Sequence, residues 1–185
     1  MDKNTGGGTP SKAVSAYWNG DIPWASVGDL NVEGNMISTT RNFITTEGLN
    51  NSSTSLIPKG DVIVAVKISP GKMKIANTDL AINQDLRGLS LKPFLNSKFL
   101  TYYFQTINII GNGTIVKGIT VDALNRVKVP VPSIEEQNRI VDILDKFDNL
   151  LHGISSGLPA ELSARRKQYD YYQTKLLTFR RLQRE

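Results

Sequence analysis

The sequence predicts an α+β protein, in which a small mixed α/β domain over residues 1–132 precedes a helical region over residues 133–185. Two observations lead to this division. Up to about Pro132, short apolar runs alternate with Gly, Pro, Asn and Asp, which is typical of short strands joined by turns. After Pro132, apolar residues recur at intervals of three and four, which is typical of amphipathic helices.

The clearest predicted strand is Val62–Val66, a β-branched run that follows the turn sequence Pro58–Asp61. Lys74–Ala76 and Leu89–Leu91 are shorter candidates for strands. Val127–Pro132 alternates apolar residues with Lys or Pro, so we expect an edge strand that ends where the prolines remove hydrogen-bond donors.

Three helices are predicted, the first of them over Asn96–Ile107 with Asn96 or Ser97 as its cap. Its apolar residues at helical spacing are Phe99, Leu100, Tyr103 and Phe104. The second helix begins at a capping box formed by Ser133 and Glu136 and extends over about 134–152. Its apolar face comprises Ile140, Ile143, Leu144, Phe147, Leu150, Leu151 and Ile154.

The last helix, predicted over about 159–183, is long and coiled-coil-like, and Pro159 suits its first turn. The positions that recur at alternating spacings of three and four are Leu162, Arg165, Tyr169, Tyr172, Leu176, Phe179 and Gln183. We interpret the apolar members as a dimerisation seam, which comprises Leu162, Tyr169, Tyr172, Leu176 and Phe179. A helix packed on its own domain, or a solvated basic tail, would produce a similar pattern.

Composition excludes several classes of site. The chain contains no Cys, which excludes disulfides, thiolate zinc sites and cysteine nucleophiles. No run approaches the roughly 20 apolar residues of a membrane-spanning helix, and residues 1–12 lack the apolar centre of a signal peptide. We therefore expect a cytoplasmic protein without a membrane partner. The net charge of +5 weakly favours a polyanionic partner.

No catalytic constellation can be assembled from these residues. His152 is the only histidine and lies near a predicted helix end, where capping is its expected role. Gly6–Gly8 lacks the Gly-Lys-Ser/Thr ending of a phosphate-binding loop. The carboxylates of Asp61, Asp79 and Asp85 are dispersed. The sequence therefore predicts a non-catalytic protein that binds no metal and no cofactor.

Residues suited to nucleic acid cluster more clearly. Lys67, Lys72 and Lys74 surround the turn Ser69–Gly71 with no acidic residue among them, so they would present cations to phosphates. The alternative is a solvated lysine-rich sheet edge.

Three further polar residues, Asn83, Gln84 and Arg87, carry the amide and guanidinium groups that pair with adenine and guanine edges. The alternative for Asn83 and Gln84 is that they satisfy backbone groups in a turn. Lys117 follows Gly111–Gly113, where a lysine and a backbone amide would meet a phosphate.

Six stretches of the chain together resemble the specificity subunits of Type I restriction-modification systems. The stretches are GGTPSK at 7–12, YWNGDIPWASVGDL at 17–30, IPKGDVIVAVKISPGKMKIA at 57–76, AINQDLRGL at 81–89, GITVDALNRVKVPVPSIEEQNRIVDIL at 118–144 and SSGLPAELSARRKQYDYYQTKLLTF at 155–179. The resemblance spans nearly the whole chain.

This resemblance implies that residues 1–132 form a target-recognition domain for one half of a split DNA sequence, and that 133–185 form a helical spacer. It implies a subunit that binds no cofactor itself and that recruits methyltransferase subunits, which bind S-adenosylmethionine, together with restriction or translocase subunits. The ligand would be double-stranded DNA. The residues expected to contact it are Lys12, Lys67, Ser69, Lys72, Lys74, Asn83, Gln84, Arg87 and Lys117.

Family members carry two recognition domains and two spacers, so the resemblance implies that this chain is a half-subunit. We expect a homodimer through the helical region and an interrupted palindrome as target. Family members carry an additional strand-like segment before the GGTPSK stretch, and here only Met1–Gly6 precede it, so the first strand of the domain could be missing. The alternative function is an interaction module that assembles methyltransferase subunits without binding DNA.

Overall fold

A computed structural model describes residues 1–107, 118–153 and 159–178. The chain divides into a strand-rich unit, formed by Met1–Pro93 and the described part of 108–128, and a helical unit, formed by Phe94–Ile107 and the described part of 129–185. The strand-rich domain predicted from the sequence, over residues 1–132, included residues 94–107. This segment belongs with the helices because Phe99 and Tyr102 are buried in the same core as Ile140.

The described strands of the strand-rich unit form two sheets. The five-stranded sheet has the order β1 (Lys3–Gly6), β9 (Leu86–Ser90), β6 (Val62–Ala65), β7 (Met73–Ala76) and β3 (Met36–Ile37). The four-stranded sheet has the order β4 (Asn42–Ile44), β2 (Trp18–Ala25), β8 (Leu80–Ile82) and β5 (Ser55–Ile57). Two short α-helices, α1 (Thr46–Asn50) and α3 (Val121–Asn125), and two 3-10 helices, Ser15–Tyr17 and Val27–Asn31, complete its regular elements within the described residues.

The centre of the five-stranded sheet was predicted correctly. Every residue of β6 and β7 is buried, and a strand covered on both faces has the continuous apolar sequence seen in Val62–Val66. The predicted strands at Lys74–Ala76 and Leu89–Leu91 correspond to β7 and to the end of β9. The main core cluster of this unit contains Ala25, Val27, Leu30, Ile37, Ile57, Ile63, Ala65, Ala76, Leu80, Ile82 and Leu86.

Two expectations about strands are wrong. The strand before Gly7 is present, because β1 pairs antiparallel with β9. Val127–Pro132 forms no strand. The Val127 N–H donates instead to the Leu124 carbonyl at 3.2 Å, in the turn after α3, and the two prolines that follow have no N–H for a ladder.

The helical unit contains α2 (Ser97–Thr106), α4 (Ile134–Gly153) and α5 (Pro159–Leu177), as the sequence predicts. Asn96 caps α2, since its Oδ1 accepts hydrogen bonds from the N–H groups of Lys98 and Phe99 at 2.8 and 3.1 Å. Ser133 caps α4 by accepting from the Glu136 N–H at 3.3 Å. The predicted continuation of α5 over 179–183 lies outside the described residues.

Side chains from all three helices form one core. The buried members are Phe99, Tyr102, Ile140, Val141, Leu144 and Leu177. Asp145 connects α4 to α2, because it accepts hydrogen bonds from the Tyr102 hydroxyl at 2.7 Å and from the Lys98 ammonium at 2.6 Å. Burial, followed by the adjacent Asp145 carboxylate, raises the pKa of Tyr102 far above its ordinary value, so this phenol stays protonated.

The predicted dimerisation seam is engaged in part within its own helical unit. Tyr169 and Leu176 pack against the helical core, and Tyr172 stacks on Phe147 with ring centroids 5.4 Å apart. The side chain of Leu162 and the whole of Phe179 lie outside the described part of the chain. A helix packed on its own unit therefore accounts for Tyr169 and Leu176, and dimerisation stays a prediction. No described helix is both long enough and apolar enough to span a bilayer.

Candidate functional site

Several chain segments of the strand-rich unit converge at one edge of its sheets. β2 and β8 are parallel, with Ala25 opposite Ile82, so both strands end at this edge. β5 is antiparallel to β8 and begins there, with Ser55 opposite Ile82. In the other sheet, Gly6 at the end of β1 lies opposite Arg87 near the start of β9. The loops after β1, β2 and β8 and before β5 are therefore brought close together.

These loops enclose a cleft of about 580 Å³. Its lining residues are Gly8, Thr9, Lys12, Trp24, Ser53, Asn83 and Gln84. Three of the nine residues predicted from sequence to contact DNA, namely Lys12, Asn83 and Gln84, thus share one concave surface. Because they come from segments more than 70 residues apart, only the tertiary fold brings them together.

The glycines before Thr9 serve close packing. A Cβ on Gly7 would lie 2.2 Å from the Asn83 carbonyl oxygen, and one on Gly8 would lie 2.1 Å from Ser53 Oγ. The Gly8 N–H donates to the Ile82 carbonyl at 3.0 Å. Because Gly7 and Gly8 have no side chains, the chain passes directly between the end of β8 and the loop before β5. Thr9 therefore lies at the cleft.

Trp24 forms a buried wall of the cleft. Its indole N–H donates to the Gly8 carbonyl at 3.1 Å, and its ring meets Trp18 edge to face with centroids 5.3 Å apart. The indole therefore anchors the segment that carries Thr9, since a buried aromatic ring with a satisfied N–H is a rigid support.

The turn after β8 presents Gln84 to the cleft. Asn83 is buried, and its Oδ1 accepts a hydrogen bond from the Asp85 N–H at 3.1 Å. This is the turn-stabilising role that the sequence left open for Asn83. Gln84 is exposed, and its Oε1 accepts a hydrogen bond from the Thr9 hydroxyl at 2.5 Å. The two adjacent amides thus have different roles.

Lys67 adjoins this turn. Its ammonium lies 3.3 Å from Asp85 Oδ1, and the neighbouring Val66 N–H donates to the Asp85 carbonyl at 2.9 Å. The Lys67 side chain remains about half exposed, so its charge reaches solvent beside Gln84. Ser69 is exposed at the tip of the same loop.

The other predicted contacts are engaged elsewhere in the fold. Lys72 donates to Asn31 Oδ1. Lys74 is only 7% exposed, and its ammonium donates to the carbonyls of Val32, at 2.8 Å, and Gly34. The Lys74 ammonium thus holds the loop before β3, and a contact between Lys74 and DNA, which stays a prediction, would require the ammonium to leave these carbonyls.

Arg87 has a similar structural role. Its guanidinium donates to the side-chain and backbone oxygens of Asn4 at 2.6 and 2.9 Å, so it ties β9 to β1. These bonds use two of the five guanidinium N–H groups, so Arg87 stays a predicted DNA contact. Lys117 lies outside the described residues. Its neighbour Gly118 forms an isolated bridge with Lys67.

Sequence reasoning missed Thr9 and Ser53 as cleft residues, and it also missed an ion pair next to the end of β2. The Asp29 carboxylate is almost fully buried and accepts from Arg41 Nε at 2.8 Å and from the Ser26 N–H at 2.8 Å. Burial by itself would raise the pKa of Asp29, but the hydrogen bonds from Arg41 and Ser26 outweigh it and hold the pKa below its ordinary value. The Ser26-x-x-Asp29 spacing is the signal that would have found it.

Within the described ranges, no group of three or more His, Cys, Asp or Glu side chains is arranged to hold a metal ion. The chemistry that the cleft offers is hydrogen bonding by an exposed amide and by hydroxyls, with ammonium groups at its margin.

A family model described as "Type I restriction modification DNA specificity domain" matches residues 2–164. Among curated proteins, the chain is 37% identical over 191 residues to the Type I restriction enzyme EcoR124I/EcoR124II specificity subunit of Escherichia coli, a match that covers 94% of this chain and 45% of that protein. It is 34% identical to the MjaIX specificity subunit of Methanocaldococcus jannaschii, over 79% of this chain and 35% of that protein. The chain thus spans less than half the length of these relatives.

Solved structures show the same fold. The HsdS subunit from Thermoanaerobacter tengcongensis superposes with a TM-score of 0.61 at 20% identity, over 95% of this chain and 42% of that chain. A chain from a structure that describes assembly and conformational transition of the type I R-M system gives a TM-score of 0.66, also at 20% identity, over 95% of this chain and 43% of that chain.

Proposed function

This chain belongs to the family of Type I restriction modification DNA specificity domains, and we propose that its strand-rich unit binds double-stranded DNA sequence-specifically through the cleft edge, which is the edge of its sheets at which the cleft lies. The observation that carries this proposal is the convergence of Lys12, Asn83 and Gln84 on one cleft, with Lys67 beside it. In this arrangement the lysines contact phosphates, and Gln84 and the cleft hydroxyls contact base edges.

Charge and geometry at this edge support the proposal. Lys12 and Gln84 are exposed and Lys67 is half exposed. Hydrogen bonds from the Gly8 N–H to the Ile82 carbonyl and from the Val66 N–H to the Asp85 carbonyl tie their segments together. A rigid surface that combines cations with a fixed amide suits duplex DNA, because phosphate contacts position a protein while base contacts specify the sequence. The exposed tip of Ser69 extends the same surface.

We further propose that the chain acts as a non-catalytic half-subunit in the cytoplasm. Its relatives are specificity subunits of more than twice its length. Two copies paired through the helical region would supply two recognition units and recognise an interrupted palindrome. The assembled pair would hold methyltransferase subunits, which carry S-adenosylmethionine, and restriction or translocase subunits.

The test is the salt dependence of duplex binding by the full chain, measured by fluorescence anisotropy with and without its methyltransferase subunit. Lys12→Ala and Lys67→Ala should each make the negative slope of log Kobs against log salt shallower by about one. Lys59→Ala is the matched control. Lys59 is exposed beside Asp79, at the entry end of β8 and opposite the cleft edge, so its removal should leave the slope unchanged.

Equal slopes for all four proteins would remove the cleft edge from the interface. If the wild-type chain bound its methyltransferase subunit but no duplex of any sequence at low salt, the alternative function of an assembly module would replace the proposal.

A further inference from the structure

Thr9 and Gln84 form a pair that bears on DNA sequence preference. We infer that Thr9 is a positioning residue that holds the Gln84 amide oxygen towards its own hydroxyl, so that the amide N–H groups are directed at a ligand, and that Gln84 therefore selects a base presenting hydrogen-bond acceptors. This inference rests on the proposed DNA-binding function and deepens it.

The backbone at Thr9 is held from several sides. The Gly8 N–H donates to the Ile82 carbonyl at 3.0 Å, and the Gly8 carbonyl accepts from the Trp24 indole N–H at 3.1 Å. Pro10, on the other side of Thr9, is buried and has a fixed φ. The Thr9 hydroxyl therefore starts from a defined point at the cleft.

The backbone at Gln84 is held equally well. The Asn83 N–H donates to the Ala25 carbonyl at 2.9 Å, and the Asn83 side chain closes the turn by accepting from the Asp85 N–H at 3.1 Å. Asp85 is anchored in turn by the Val66 N–H at 2.9 Å. Residues on both sides of Gln84 are thus fixed, while its own side chain remains exposed.

The hydrogen bond between these two points determines what the amide offers. The Thr9 hydroxyl donates to Gln84 Oε1 at 2.5 Å. A primary amide has an oxygen with two lone pairs and two N–H donors. This bond uses one lone pair and turns the oxygen towards Thr9, so both donors are directed away from Thr9. Among the described residues, Gln84 Nε2 has no hydrogen-bond partner. Gln84 therefore presents donors to any ligand in the cleft.

Donors alone distinguish bases. In the major groove, guanine N7 and O6, adenine N7 and thymine O4 accept hydrogen bonds, whereas cytosine presents the N4 donor. A free glutamine pairs with adenine through its oxygen and its N–H together, which is the contact that the sequence suggested for Gln84. With the oxygen engaged by Thr9, Gln84 instead disfavours cytosine at the position that it contacts.

Three variants separate the hydroxyl from the rest of the side chain. Gln84→Glu is isosteric and replaces the donors with an acceptor, so preference at one position should turn towards cytosine, by about three- to tenfold for one hydrogen bond. Thr9→Val keeps the shape but releases the amide, so preference at that same position should move towards adenine. Thr9→Ser retains the hydroxyl and should behave as wild type.

The experiment is selection from a pool of randomised duplex DNA by the full chain with its methyltransferase subunit, followed by sequencing. Thermal unfolding of each variant checks that folding is unchanged, and the salt slope of the two uncharged Thr9 variants checks that phosphate contacts are unchanged. A switch confined to one position, in the order described, supports the inference. If all variants recover the wild-type motif, or if Thr9→Ser changes it as Thr9→Val does, the inference fails while the proposed function stands. If the wild type recovers no motif, the sequence-specific function fails as well.

Discussion

Replacing Gln137 by leucine should strongly destabilise the helical unit. The Gln137 side chain is fully buried, and it joins α4 to the N-terminal end of α2 through three hydrogen bonds. Its Oε1 accepts from the Asn96 N–H at 2.8 Å, and its Nε2 donates to the carbonyls of Phe94 and Pro132 at 2.8 and 2.9 Å. Leucine has a similar volume but satisfies none of these groups. At about 1 kcal/mol for each lost bond, the free energy of unfolding should fall by about 3 kcal/mol.

The assay is urea and thermal unfolding followed by circular dichroism. For a chain of this size, a loss of 3 kcal/mol corresponds to a fall in Tm of about 6–12 °C. Asn138→Ala is the matched control, because Asn138 is the next residue of α4, is exposed, and makes a single side-chain hydrogen bond to Asn96. Its replacement should change stability by less than about 0.5 kcal/mol. If Gln137→Leu and Asn138→Ala behaved alike, the three hydrogen bonds would not contribute as described.

Three further outcomes are expected from the side chains already described. Asp29→Ala should lower the free energy of unfolding at neutral pH. Because the folded pKa of Asp29 is depressed below the ordinary value of 3.8, the difference from wild type should vanish as pH falls through the folded pKa. Urea unfolding at a series of pH values measures this difference, and a pH-independent difference would contradict the prediction. Tyr102→Phe removes the hydrogen bond to Asp145 and should lower the free energy of unfolding in urea by about 1 kcal/mol. An unchanged free energy of unfolding would show that another donor replaces the phenol. Ile68 is exposed and has a φ of 52°, which a β-branched residue adopts at a cost of about 1–2 kcal/mol. Ile68→Asn should therefore raise the urea midpoint of unfolding. A lowered midpoint would show that the Ile68 side chain makes stabilising contacts.

Patterns that are local in sequence were predicted well. The α2 cap at Asn96, the start of α4 after Ser133 and the buried strand Val62–Val66 each depend on residues within one or two turns of chain. The edge strand predicted at Val127–Pro132 was wrong because alternation alone does not supply a neighbouring strand, and α3 ends there in a turn instead.

The candidate site was predicted only in part, because a side chain's partners depend on residues far away in sequence. Lys67, Lys72 and Lys74 lie around one turn in the sequence, yet the segment before β3 engages the ammonium groups of Lys72 and Lys74, while Lys67 stays half exposed. Thr9 gave no sequence signal of its own. Thr9 contacts Gln84 only because the segment after β1 packs against the turn after β8.

By itself, the sequence determined the family resemblance, the α+β class, the helix starts and the absence of thiol chemistry, because these depend on residue types and their short-range spacing. Only the tertiary structure decided that 94–107 belongs with the helices, that Arg87 ties β9 to β1 through Asn4, and that Lys12, Asn83 and Gln84 share a cleft. The physical reason is that parallel pairing of β2 with β8 brings loops that are distant in sequence to one edge of the sheets. The tertiary contacts at that edge then determine which hydrogen-bonding groups are satisfied within the protein and which remain for a ligand.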